Sequence, residues 1–328
     1  MTSDPNDVSD LVQIEAHRSP WIDRPVDNTA LDQYMSCPRK FLYAMIYHRR
    51  GKGAYQRPPL SYGTSWHAMM ETHYKTGGET KAVVDAAVAS WQPHENPDDH
   101  RTIQRCVAEY GNFLKQYGTH DQETALHGKT VGYEEGVPIV EVPAELWDAG
   151  LIHPYTGKID RIYEHRGLYY VEDHKTTSAM GDNYFKQFDP SNQMMGYMWL
   201  AQRLSGVPIA GVRINGHAVL KASSKFARQT IMISQPRLEE WVGNVNIWMK
   251  RLEASYKVYH EVRELPVDDP HRRAALLEAF PHNFNACAGK YGQCQYTEVC
   301  TFAPEVRDRI LEAEFEVQPW NPLNPDDE

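Results

Sequence analysis

The residues best suited to chemistry lie in GKIDRIYEHRGLYYVEDHKTT, positions 157–177 of a 328-residue chain. Ile159, Ile162 and Tyr163 alternate with polar neighbours, Arg166-Gly167 breaks the pattern, and Leu168-Tyr169-Tyr170-Val171 resumes it, which predicts a β-hairpin. Asp160 sits on one arm, and the other ends in Glu172, Asp173 and Lys175. Asp160 and Asp173 offer the hard oxygens that Mg²⁺ or Mn²⁺ prefers. Asp173 and Lys175 are two apart on a strand and so share a face, which would set an ammonium beside the metal and its water. This donor set suggests a divalent-metal hydrolase. The same residues also describe a solvated hairpin face, the commoner fate of charged strand positions.

Helices must bring further groups to this hairpin. SYGTSWHAMMETHYKTGG reads as a helix with Thr64 or Ser65 as cap and Gly77-Gly78 as stop, and His67 and Glu71 share a face. A histidine on a largely apolar helix is, taken alone, more often a core residue than a ligand. Helices over 79–91 and 99–118 follow, the first with Val83, Val84, Ala87 and Val88 as its buried stripe; Cys106 in the second reads as a buried thiol. Val137, Ile139, Val140 and Val142 mark a strand leading into the hairpin. Beyond it come a helix over 191–204 with Gln193 and Tyr197 on one face, strands over 209–220 and 226–233, and an amphipathic helix over 235–262 carrying Leu238, Trp241, Val245, Trp248 and Leu252 inward. The order defines a mixed α/β fold.

Four of the five cysteines form a second group. Cys37 interrupts a helical pattern that starts at Thr29, with Pro38 opening a new turn, while Cys287, Cys294 and Cys300 fall in one short Gly- and aromatic-rich segment. Four thiolates suit Zn²⁺ or an iron-sulfur cluster, and ligand type does not separate the two. The lack of a CxxC knuckle weighs against a zinc ribbon.

Composition bounds the class. Charged residues are 24% and hydrophobic ones 41%, with a net charge of −10, which argues against a nonspecific nucleic-acid coat. No apolar run has the length of a membrane span and the amino terminus lacks signal-peptide features, so a cytoplasmic protein without membrane contact is expected. Residues 1–28 read as a flexible arm able to pack as an edge, and EVQPWNPLNPDDE at the end as a disordered acidic tail.

Taken in order, YMSCPRKF, GTSWHAMME, GKIDRI, VEDHKT, QMMGY and the cysteine triplet resemble the PD-(D/E)XK nuclease superfamily, specifically RecB-like exonucleases with an iron-sulfur cluster, including AddB-type and CRISPR-associated adaptation nucleases. The resemblance implies a restriction-endonuclease-like core with a mixed sheet flanked by helices. It implies that His67, Asp160 and Asp173 are metal ligands for Mg²⁺ or Mn²⁺, with the His174 carbonyl as a backbone ligand and Lys175 as the catalytic lysine. Asp173 is preferred to Glu172 because the family pattern leaves one residue between acid and lysine. Gln193 and Tyr197 match the family's Q-xxx-Y helix, and Cys37, Cys287, Cys294 and Cys300 match ligands of a cluster of the 4Fe–4S type. The gap from Cys287 to Cys294 is wider than in some relatives.

The expected layout is an arm over 1–28, a nuclease domain over 29–302 with a helical insertion at 79–118 and a cysteine segment at 282–302, then a helix and acidic tail over 303–328. The expected activity is metal-dependent exonucleolytic cleavage of single-stranded DNA or duplex ends in repair, recombination, or phage- or CRISPR-related processing. In a phage setting the compartment would be the host cytoplasm. Arg39, Lys40, Arg49, Arg50 and Lys52 offer either a DNA-backbone surface or a solvated charge run. Two other readings fit the same sequence: a catalytically silent DNA-binding module of this fold, and a zinc or iron-sulfur protein whose cysteines are the working site.

Overall fold

The computed structural model describes residues 20–22, 24–52, 57–93, 96, 98–133, 137–146, 150–289 and 292–321. Its first half is largely helical: α1 (Asn28–Ser36), α2 (Pro38–Phe41), a π-turn at Leu42–Ile46, α3 (Pro58–Thr76), α4 (Thr80–Ala89), α5 (Ile103–Tyr117) and α6 (His120–His127). Short strands β1 (Val26–Asp27), β2 (Arg49–Gly51), β3 (Lys129–Thr130), β4 (Gly132–Tyr133) and β5 (Val137–Pro138) punctuate this half. The long strands β6 (Val140–Leu146), β7 (Tyr155–His165) and β8 (Leu168–Thr177) come next, then α7 (Asn192–Ser205), β9 (Ile209–Val219), β10 (Ser224–Met232) and α8 (Gln235–Val262). The chain closes through α9 (Pro270–Ala279), β11 (Ala288–Gly289), β12 (Gly292–Gln293), α10 (Thr297–Thr301), α11 (Pro304–Glu314) and β13 (Phe315–Val317).

The central sheet is mixed, as expected. β6 and β8 pair antiparallel with β7, β8 runs parallel to β9, and β10 returns antiparallel to β9. The parallel β8–β9 pair requires a crossover, which α7 supplies. The sheet separates two apolar clusters. One is built on α1, α7 and α8 with Ile159, Val171, Ile214, Trp199 and Trp241, the other on α3, α4 and α5 with Trp66, Met70, Phe113 and Phe226.

Several expected boundaries move. The guanidine-flanked Pro58-Pro59 pair opens α3 six residues before Thr64, because proline at the first turn loses no helical hydrogen bond; Ser65 caps nothing and instead donates its hydroxyl to the Ala87 carbonyl at 3.1 Å. Gly77 ends α3 at φ 70°, as its spacing suggests. In α4, Val83 and Ala87 are buried but Val88 is 57% exposed, since only one stripe of so short a helix meets α3. Of the expected amino-terminal arm, 1–19 and 23 fall outside the described residues; Val26 and Asp27 run parallel to β7 as an edge, and the Asp27 carboxylate accepts the Thr29 and Ala30 N–H groups to start α1 at Asn28. The expected disordered tail is corrected in part, because β13 pairs antiparallel with β2 and Trp320 lies against Asp27; the remainder of that tail, 322–328, falls outside the described residues.

Candidate active site

The site forms where the sheet comes apart. The β7–β8 ladder runs from His165 opposite Leu168 to Arg161 opposite Glu172 and ends there. β6 and β1 both pair with Tyr155 and Thr156, so they lie on opposite edges of β7, and β1 takes the edge that β8 has left. Asp160 sits in the fork between them. Its carboxylate Oδ2 accepts the His174 N–H at 2.7 Å, doing for β8 what a ladder carbonyl would have done.

His67 reaches the fork from α3. Its Nδ1 lies 3.4 Å from Asp160 Oδ2 and 3.3 Å from Oε1 of Glu141. Among the described residues, His67, Glu141 and Asp160 are the trio whose ligand atoms all lie within 4.8 Å of one another. Sequence reasoning missed Glu141. It lies in β6, in no motif, and the backbone signal that marks it is conformational: φ is 51°, a left-handed value in a buried non-glycine residue. Glu71, the other carboxylate on the His67 face, turns instead to Lys75 at 2.5 Å.

The trio carries unbalanced charge. Burial and the neighbouring Glu141 and Asp173 carboxylates push the Asp160 pKa up to about 8, against the pull of His67 and Lys175. Burial opposes a charged His67, but Asp160 and Glu141 overcome it and raise its pKa to about 9. Glu141 goes the other way, down to about 2, because His67 and Lys158, at 2.9 Å, outweigh its burial.

Asp173 and Lys175 do share a face of β8, with Nζ 2.9 Å from Oδ1. Asp173 Oδ2 is also 2.9 Å from that ammonium, yet it is sealed from solvent without a well-angled hydrogen bond. Gln193 donates to the Tyr197 hydroxyl at 3.0 Å, and burial with the Asp173 and Asp160 charges holds that phenol well above its usual pKa, so it stays a donor. Two glycines let α7 come this close. A Cβ on Gly157 would meet Leu200 Cδ1 at 2.9 Å, and one on Gly196 would meet the Tyr155 hydroxyl at 2.2 Å. A cleft of about 430 Å³ opens here, walled by His67, Glu141, Lys158, Asp160, Gln193, Tyr197, Asp27 and Trp320. Two buried carboxylates, Glu141 and Asp160, and the His67 nitrogen in one cleft fit a hard divalent cation.

Glu172 and His174 leave the cleft for the opposite side of β8. Glu172, fully buried, binds Arg161 at 3.3 Å, Arg213 and the Tyr74 hydroxyl at 3.0 Å. The His174 ring contacts Asn215 at 3.1 Å, and burial lowers its pKa to about 3. Only its backbone remains beside Asp160. The basic set is corrected too: Arg39 is buried and donates to the Phe280 carbonyl at 2.8 Å, and Arg50 is buried against Met45, so neither belongs to an open surface.

The four cysteines converge away from the cleft. Cys37, at the α1–α2 junction, receives the Asn283 N–H at 3.5 Å; the Cys294 N–H donates to the Cys287 carbonyl at 2.8 Å. His282 Nε2 is 3.1 Å from Cys287 Sγ, and Arg307 holds the Cys300 carbonyl at 3.0 Å. Burial raises the Cys300 thiol to about 11, with Cys37 and Cys294 adding to the rise; Cys287 is raised by desolvation and by Cys294 and Cys37. Cys106 stands apart beside Met69.

A family profile for the PD-(D/E)XK nuclease superfamily matches residues 28–301. The chain belongs to that superfamily, and its mixed sheet flanked by helices is the corresponding restriction-endonuclease-like core. Membership makes it a nuclease by class. Twelve solved chains resemble it. A protein from Eubacterium rectale, named as a candidate exonuclease, is 12% identical with a TM-score of 0.42, covering 71% of this chain and 81% of its own. The protein SSO0001 is 12% identical with a TM-score of 0.25, covering 64% of this chain and 85% of its own. No curated protein matches the sequence. No helix among the described residues is long and apolar enough to cross a membrane.

Proposed function

We propose that the chain is a Mg²⁺- or Mn²⁺-dependent exonuclease acting on single-stranded DNA or duplex ends. The observation that carries this reading is the meeting of His67, Glu141 and Asp160 in one cleft, with the Asp173–Lys175 pair acting on Asp160 from beside it. His67, Asp160, Asp173 and Glu141 would hold the cation. When bound, the cation would neutralise phosphate charge and acidify a water molecule. Lys175, steered by Asp173 at 2.9 Å, would hold the attacking water and offset charge on the phosphorane-like transition state. Tyr197, kept protonated and fixed by Gln193, would donate to a phosphate oxygen. Lys158 would keep Glu141 ionised.

For Cys37, Cys287, Cys294 and Cys300 we infer an iron-sulfur cluster of the 4Fe–4S type that ties α1 to the carboxyl-terminal segment. The support is that Cys37 at the end of α1 and Cys294 in the carboxyl-terminal segment both raise the Cys287 and Cys300 thiols, which brings the four sulfurs into one neighbourhood. End-labelled single-stranded and duplex DNA incubated with anaerobically purified protein tests the first reading. A ladder receding from one end, abolished by chelator, is expected; no cleavage with either cation would sink it. Visible absorption with stoichiometric iron tests the second, and a colourless protein containing only zinc would overturn it.

A further inference from the structure

The cleft wall contains a group that hydrolysis does not need. Trp320 lies in the segment that follows β13, and its indole lines the same cleft as His67, Asp160 and Tyr197. Its Nε1–H donates to Asp27 Oδ1 at 3.2 Å, and the Arg50 guanidinium carbon stands 5.6 Å from its ring centroid. Asp27 is itself fixed, because the same carboxylate accepts the Thr29 and Ala30 N–H groups at 3.1 and 3.0 Å. The ring is therefore held from two sides before any ligand arrives. The tryptophan packs in part against the main apolar cluster and is otherwise open to the cleft, and the strand pairing of Phe315–Val317 with Arg49–Gly51 delivers it there across the length of the chain.

The register sets its distance from the chemistry. Asp27 pairs with Thr156, four residues along β7 from Asp160, which is about 13 Å of strand. A nucleic-acid strand with its phosphate at Asp160 would carry a flanking base to the indole. Every base offers a π-face, so a fixed aromatic platform grips a single strand without reading its sequence. The contact is uncharged, so it holds the strand whatever the charge balance of a cleft in which Glu141 and Asp160 face His67 and Lys158.

We propose that Trp320 is a stacking platform for a nucleobase flanking the phosphate to be cut, positioned by Asp27 and Arg50. This rests on the nuclease reading above. The experiment uses the full chain with end-labelled single-stranded DNA, comparing wild type, Trp320→Phe and Trp320→Ala, each on normal strands and on strands with one abasic site stepped through the positions nearest the cleaved end. Trp320→Ala is expected to raise KM by about fivefold to 150-fold with the loss falling on KM, and Trp320→Phe to recover most of it. One abasic position should impose the same KM penalty on wild type and none on Trp320→Ala. Penalties that add in the double perturbation, or a Trp320→Ala defect confined to kcat, would overturn the platform while leaving the nuclease standing. A wild type that cuts no strand would bring down both, so the two failures are distinguishable.

Discussion

Glu172 and Asp173 are adjacent on one strand, equally sealed from solvent, and opposite in condition. Glu172 points into a buried network of Arg161, Arg213, Tyr74 and His174, with Arg228 and Glu123 behind it, and these cations hold its pKa well below the carboxylate range. Asp173 points into the fork, where Lys175 is its one cationic neighbour within 4 Å among the described residues and one oxygen lacks a well-angled donor. Burial alone does not make a catalytic carboxylate. What separates the two is how much counter-charge the protein supplies: two arginines at Glu172, one lysine at Asp173. The ion-pair network locks β7, β8, β9 and α6 together through Arg161 to the Gly128 carbonyl at 2.8 Å and Arg213 to the His127 carbonyl at 2.7 Å. That anchor fixes β8 at Glu172, the residue at which its ladder with β7 ends.

The comparison can be broken at either residue. Glu172→Gln removes the charge shared by the buried arginines and should cost about 3–5 kcal/mol of stability, read by chemical denaturation. A loss under about 1 kcal/mol would mean that the arginines find other partners. Lys175→Ala should leave the melting temperature within a few degrees of wild type and lower kcat by about 10²–10³, read under single turnover. An unimpaired Lys175→Ala enzyme would remove the lysine from the chemistry.

Glu141→Gln sharpens the boundary of the cation site. The Mn²⁺ concentration for half-maximal cleavage should rise by about tenfold to 100-fold, with protein stability lowered because His67 and Lys158 lose the carboxylate they pair with. An unchanged Mn²⁺ dependence would place Glu141 outside the cation's reach.

The smallest effect expected is one of pH. Asp160 binds its proton more tightly folded than unfolded, with a pKa of about 8 against 3.8, so its contribution to stability falls as pH rises across that interval. His67, raised from 6.5 to about 9, gives its full contribution below its unfolded value and loses it as pH rises through the folded one. Both signs agree, and the protein in chelator should lose melting temperature between about pH 6.5 and 9. Saturating Mg²⁺ should flatten that slope, since a cation replaces the proton between the carboxylates. Parallel slopes with and without Mg²⁺ would show that the cation binds elsewhere.

Much of this site is legible from local pattern. Alternation placed Asp173 and Lys175 on one face of β8, and helical spacing placed Gln193 beside Tyr197, because both relations depend only on the pitch of an element. Asp160 and His67 came together as their motifs imply. Glu141 was illegible because a positive φ, a property of tertiary context, turns it into the fork. β13 was illegible because three residues carry no periodicity and their partner β2 lies more than 260 positions away. Arg39 and Arg50 looked like surface charge, and only the fold shows that one holds the Phe280 carbonyl and the other packs under Trp320.

The most direct measurement is single-turnover cleavage of end-labelled single-stranded DNA in Mn²⁺ by wild type and Asp173→Asn. The account predicts a metal-dependent product ladder from wild type and none from Asp173→Asn, with the variant folded and melting at or above the wild-type temperature. Cleavage retained by Asp173→Asn would contradict the assignment of this carboxylate, and with it the fork as the place where the strand is cut.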